Sequence, residues 1–179
     1  MCAIEYYTYD DYKEWEGDWE LIGGVPLAMA PSPMKSHQMI SSAILVELAN
    51  SSSECEECVV ISEQDWKICD DTIVKPDVVL VCNEPIEGSY ITKPPKIVVE
   101  VISKSTAKRD EKTKFKLYRK EKVLYYVIVY PNDLRAKVYK LENREYEKVD
   151  DFTHEVMSFD DLKCKAKIDF EKVFRRFRK

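Results

Sequence analysis

No apolar run in these 179 residues is long enough to cross a membrane; the longest are strand-length. The opening residues, Met1-Cys2-Ala3-Ile4-Glu5-Tyr6, lack the basic start and apolar stretch of a secretory signal. A cytosolic location is the expectation, and in that compartment the six cysteines are expected as free thiols. Cys55-Glu56-Glu57-Cys58 has the spacing of a zinc knuckle, but no second pair accompanies it. Neither His37 nor His154 stands at ligand spacing from it, so no metal or redox role is expected there. No repeat or low-complexity segment is present.

Positive charge is also in short supply. Lys and Arg number 28 against 33 Asp and Glu, a net charge of −5, which argues against indiscriminate coating of nucleic acid. The distribution is uneven. Lys104 to Lys122 carries nine basic and three acidic residues, Lys163 to Lys179 eight and two, and the first twenty residues one and seven. Such runs suit solvated helix faces, and the first of them also suits a polyanion partner.

What is present is an ordinary globular composition, 45% hydrophobic and 34% charged. It fits one domain over residues 1–179, with a core at about 18–142 and a C-terminal hairpin and short helix appended. Thr8 and Asp11 form a capping pattern for a first helix. Trp19 to Ala30 reads as a hairpin turning at Gly23-Gly24. Ser32-Pro33 opens a helix from about Met34 to Ser51, with Pro in its first turn. Cys58 to Ile68 reads as one strand and Ile73 to Val81 as another. Asn83 to Pro95 is a long loop, and Ser105-Thr106 caps a helix over about 107–121. Leu124 to Tyr130 is a buried strand; Ala136 to Leu141 and Tyr146 to Val149 make a closing hairpin; Asp169 to Phe177 is a short amphipathic helix. This order predicts an α/β (α+β) fold with a mixed central sheet flanked by helices.

Chemistry concentrates in Lys96-Ile97-Val98-Val99-Glu100-Val101-Ile102-Ser103. A continuous β-branched run marks a strand covered on both faces, and it has a carboxylate in its middle. Burying Glu100 costs several kcal/mol unless a cation, a metal or hydrogen-bond donors compensate. Lys75-Pro76-Asp77-Val78-Val79-Leu80-Val81 places a second carboxylate at the head of another apolar strand. Holding a divalent metal is the simplest use for the pair.

Pro76-Asp77 followed by Glu100 resembles the acidic pair of the PD-(D/E)XK nuclease superfamily, and the finer likeness is to its Uma-type putative endonucleases. The blocks that carry it begin with Trp19-Glu20-Leu21-Ile22-Gly23-Gly24, Pro31-Ser32-Pro33 with His37, and Lys75-Pro76-Asp77-Val78. Val99 to Thr106, then Asp110, Lys114 and Tyr118, then Tyr125 to Pro131 complete them. The resemblance implies a restriction endonuclease-like core, a Mg²⁺ (or Mn²⁺) site and hydrolysis of DNA phosphodiester bonds; a homodimer is the expectation because cutting a duplex needs two sites. It implies Asp77 and Glu100 as metal ligands with Glu20 as a third acidic group, and a lysine as catalytic cation. His37, Lys104, Lys108, Arg109 and Lys67 would face nucleic acid. The superfamily lysine is expected two residues after the glutamate, where this chain has Ile102. Lys114, sharing a helix face with Asp110 and Tyr118, is the expected replacement, and Lys67 with Gln64 nearby is the fallback. Asp110 and Lys114 also suit a plain surface ion pair. The second functional class is a binding or assembly module that kept the fold without the chemistry.

Overall fold

Val78 and Leu80 belong to one apolar core and Val79 and Val81 to another, so this strand alternates between two buried faces. The same holds for Ile97, Val99 and Val101 against Val98. The continuous apolar runs therefore sit in the middle of a layered structure, as their composition requires. A computed structural model describes residues 5–29, 34–103 and 109–178, Asp110 by its backbone alone.

The first elements are α1 (Tyr9–Tyr12), β1 (Trp19–Ile22), β2 (Val25–Ala28) and α2 (Lys35–Ser51). Strands β3 (Cys58–Ser62), β4 (Trp66–Cys69), β5 (Thr72–Val74), β6 (Val78–Cys82) and β7 (Ile97–Val101) follow. A π-helical turn, Arg109–Lys114, leads into α3 (Phe115–Lys120) and then β8 (Tyr125–Tyr130). Strands β9 (Arg135–Glu142), β10 (Glu145–Phe152), β11 (Val156–Ser158) and β12 (Lys167–Asp169) precede α4 (Phe170–Phe174).

The central sheet has the order β10-β9-β8-β7-β6-β3. Only β7 and β8 run parallel within it, joined through the α3 segment; every other pair is antiparallel. It is thus a mixed sheet, with α2 and α4 packed on one core and α3 on the other. A smaller sheet, β2-β1-β5-β4, carries the hairpin that turns at Gly23 and Gly24, both at positive φ.

Two expected strands are each split between the sheets. Cys58 to Ile68 breaks at Glu63, whose φ of 50° turns the chain out of β3 before β4 begins. Ile73 to Val81 breaks at Lys75-Pro76-Asp77, where Pro76 has no N–H to give to a ladder. The break leaves Asp77 at the junction of the two sheets, directly before β6. The tail holds a hairpin, β11 with β12, that the sequence pattern did not announce. The expected free thiols are also corrected: Cys55 bonds Cys164 and Cys58 bonds Cys82, while Cys69 is an exposed thiol. Chain pairing explains this, since Cys58 and Cys82 are register partners on β3 and β6.

Candidate functional site

Antiparallel register sets the site. Val78 pairs with Val99, so the residue before β6, Asp77, stands beside Glu100 near the end of β7. Asp77 Oδ2 accepts a 2.6 Å hydrogen bond from the Val101 backbone N–H, which anchors the carboxylate to the neighbouring strand. His37, near the start of α2, brings its Nε2 to 3.3 Å from the same oxygen. Burial pushes the His37 imidazole down, but the Asp77 hydrogen bond and charge outweigh it, and the net direction is up. His37 Nδ1 is buried without a hydrogen-bond partner among the described residues.

The second half of the site is an ion network. Lys114, only 2% exposed, places Nζ 2.8 Å from Glu100 Oε1 and 2.7 Å from Glu20 Oε1. Tyr118, one helical turn later, donates its hydroxyl to Glu100 Oε1 at 2.7 Å. That hydroxyl is held far above its usual titration range, first by burial and then by the Glu100 charge. Glu20 is fully buried; its Oε1 also accepts from the Lys75 backbone N–H at 2.9 Å, and its Oε2 lies 3.2 Å from Arg109. Burial pushes the Glu20 carboxyl up, but Lys114, the Lys75 N–H and Arg109 together outweigh it and hold it below its ordinary value.

Local sequence explains how these groups meet. Glu20 and Leu21 are the buried pair of β1, and Leu21 pairs with Ile73 of β5, so the hairpin is pressed onto the sheet junction. Lys114 and Tyr118 point to one side because the π-helical turn ends at Lys114 and regular α-helix carries on from it. Trp66 stacks on Tyr118 at 5.9 Å and Tyr126 meets it edge-on at 5.1 Å, closing the apolar wall behind Glu100.

The structure thus brings Glu20, Asp77, Glu100, Lys114, Arg109 and His37 into one neighbourhood. It does not bring Lys67 there: Lys67 pairs with Asp70 at 2.9 Å and lies 3.9 Å over the Tyr9 ring. The reason is strand alternation, which turns Lys67 away from the face on which its neighbour Trp66 meets Tyr118. Gln64 likewise donates to the Ser89 carbonyl. Glu20 is buried because β1 is covered on both faces at its centre, with Lys114 and the Lys75 N–H on the Glu20 side and Leu21 buried on the other. Pro31-Ser32-Pro33, Lys104, Ser105-Thr106 and Lys108 lie outside the described residues, as does the Asp110 side chain. Sequence reasoning missed the Arg109–Glu20 and Lys75–Glu20 contacts; only the conjunction of a buried glutamate with nearby donors would have raised them.

The donor chemistry fits a hard divalent cation. Asp77 and Glu100 offer carboxylate oxygens from adjacent strands, and Asp77 Oδ1 accepts no hydrogen bond among the described residues. Magnesium is commonly held through one or two such carboxylates, with the remaining positions left to water and phosphate. Glu20 differs, since both of its oxygens are already engaged by Lys114, Lys75 and Arg109.

The same fold is found in the crystal structure of a protein from Anabaena variabilis ATCC 29413, described as a putative nuclease belonging to DUF820. That structure superposes with a TM-score of 0.78 at 14% identity, over 94% of this chain and 97% of the other. No curated protein matches the chain. The family pattern described as Uma2, "Putative restriction endonuclease", matches residues 5–169. With its match spanning nearly the whole chain, this protein belongs to the Uma2 family.

Proposed function

We propose that the protein is a divalent-metal-dependent endonuclease that hydrolyses phosphodiester bonds of DNA. The observation that carries this is the Lys114 ammonium set between Glu20 and Glu100, beside Asp77, at a junction of two sheets. Asp77 and Glu100 are the residues that would hold Mg²⁺ or Mn²⁺. When bound, such an ion lowers the pKa of a coordinated water and neutralises charge on phosphate oxygens.

The chain's own residues do the rest. Lys114 replaces the lysine that the superfamily keeps two residues after the glutamate, reaching Glu100 from the π-helical turn before α3. It supplies a fixed positive charge next to the carboxylate, where extra negative charge on a phosphate would develop. Glu20 fixes the Lys114 ammonium in place, and Arg109 adds a second cation on the same side. Tyr118 orients Glu100 by its hydroxyl. His37 donates to Asp77 and holds that carboxylate toward β7. Lys104 and Lys108 belong to the same basic run as Arg109 and are proposed as contacts to the DNA backbone. A homodimer would present two such sites to the two strands of a duplex.

A second reading, an inactive module with the nuclease fold, draws on one observation: Glu100 Oε1 is already satisfied by both Lys114 and Tyr118. Cleavage separates the two. In Mn²⁺, the wild-type chain is expected to cut plasmid or single-stranded DNA. Glu100→Ala and Lys114→Ala are expected to lose about 10²–10³-fold or more, the scale of one lost transition-state contact. Folded, Mn²⁺-binding protein that leaves both DNA forms intact would move the assignment to the binding module.

A further inference from the structure

Cysteines 55, 58, 82 and 164 come from three separate parts of the chain and meet at one corner of the fold. Cys55 and Cys58 follow α2 and open β3, Cys82 ends β6, and Cys164 lies in the loop between β11 and β12. The sulfurs of Cys55, Cys58 and Cys164 all lie within 4.8 Å of one another, and Cys82 is bonded to Cys58. Because β6 starts next to Asp77 and ends at Cys82, this corner is about 16 Å of strand away from the carboxylates.

The two disulfides use these sulfurs in one way. In the reduced chain the same backbone arrangement holds the thiols of Cys55, Cys58 and Cys164 around one point, with Cys82 adjoining through Cys58 as the fourth. A Cys-x-x-Cys pair completed by two further cysteines is the ligand set of a structural zinc site. Metal–sulfur bonds of about 2.3 Å in a tetrahedron put the sulfurs about 3.8 Å apart, inside the 4.8 Å that encloses Cys55, Cys58 and Cys164. The surroundings also suit it: Cys164 is buried, Cys58 and Cys82 are partly buried, and Lys163 and Lys165 flank Cys164 with positive charge. Lys163 pairs with Glu57, inside the Cys55–Cys58 turn, so the two ligand-bearing loops are already tied together.

We propose that the reduced chain binds one Zn²⁺ through Cys55, Cys58, Cys82 and Cys164, fastening the C-terminal hairpin to the β3 edge of the sheet. Each thiol gives up its proton as its sulfur bonds the ion, so up to four protons leave and no electron is transferred. From the disulfide form, two equivalents of a dithiol reductant first supply the four electrons and four protons that reopen the two S–S bonds. This site is separate from the proposed nuclease centre, and its soft sulfur ligands select a different class of ion.

The test is metal uptake by the reduced full-length chain. Zinc is measured per chain by elemental analysis, and Co²⁺ is then substituted to read the intense visible absorption of tetrahedral cobalt thiolate. One Zn²⁺ per chain and a thiolate cobalt spectrum are expected. Cys69→Ser should leave both unchanged, whereas Cys82→Ser and Cys164→Ser should weaken zinc by more than about 100-fold, beyond the loss of a merely supporting group. Reduced wild-type protein that takes up neither ion overturns the proposal, whether or not any variant folds. Unchanged affinity in Cys82→Ser and Cys164→Ser overturns it equally.

Discussion

Lys114 Nζ lies 2.7 Å from Glu20 Oε1, joining the π-helical turn before α3 to the first hairpin of the chain. With Glu100 at 2.8 Å, one buried ammonium serves two buried carboxylates. Neither glutamate has solvent to compensate it, so each depends on this cation and on a few donors.

Removing that cation should therefore be costly. Lys114→Met fills similar volume but leaves two carboxylates with a diminished set of partners, and a loss of about 3–5 kcal/mol in unfolding free energy is expected. Adding Glu20→Gln to Lys114→Met should recover part of the loss, because it removes one of the two uncompensated charges. Urea titration of the single and double variants measures both.

Tyr118→Phe deletes one hydroxyl and leaves the ring between Trp66 and Tyr126. Glu100 then keeps Lys114 but loses a donor, which should destabilise the fold by about 1–3 kcal/mol. The same variant should bind Mn²⁺ with altered affinity, since Glu100 would no longer be held in one orientation. Equal thermal stability in wild type and variant would show that the hydroxyl contributes nothing.

Much of this site was legible before any coordinates. The β-branched run around Glu100 required a doubly covered strand, and the resemblance singled out Lys114 and Tyr118, whose helical spacing put them on one face. The α2 helix, expected from about Met34 to Ser51, runs Lys35–Ser51. Other features depend on distant pairing that local pattern does not encode. Strands β11 and β12 are three residues each, too short to show a period. The partners of Cys55 and Cys58 come from β6 and the tail, so neighbouring spacing could not reveal them. The burial of Glu20 is of the same kind, because hairpin periodicity says nothing about what will cover its face.

Acid titration provides an independent check at the edge of the small sheet. Asp71 is held down to about 2, first by the Tyr6 hydroxyl and then by the Cys69 thiol and Thr72 hydroxyl. Its folded value lies below the unfolded value of about 3.9. The stabilisation is therefore present above about pH 4 and is lost as pH falls through the folded value near 2. Carboxyl NMR titration should find the depressed midpoint, and Tyr6→Phe should move it upward.

Gly24 offers a backbone test of the same contact. Its φ is +75°, and an added Cβ would meet the Tyr6 ring at 2.3 Å, whereas one at Gly23 (φ +59°) meets nothing within 4 Å. Gly23→Ala should cost about 1–2 kcal/mol from the left-handed conformation alone. Gly24→Ala should cost more, and by displacing Tyr6 it should also raise the Asp71 midpoint. Equal stability losses in the two variants would contradict this account of the turn.

The most direct measurement is calorimetric titration of Mn²⁺ into wild-type protein, Asp77→Asn and Glu100→Gln, with folding of each checked by circular dichroism. Hard Mn²⁺ favours carboxylate oxygens over the cysteine sulfurs, so it reports on this site. The account predicts one Mn²⁺ per chain in the wild type, with binding lost or weakened by more than about tenfold in either folded variant. Wild-type affinity retained in both Asp77→Asn and Glu100→Gln would contradict it.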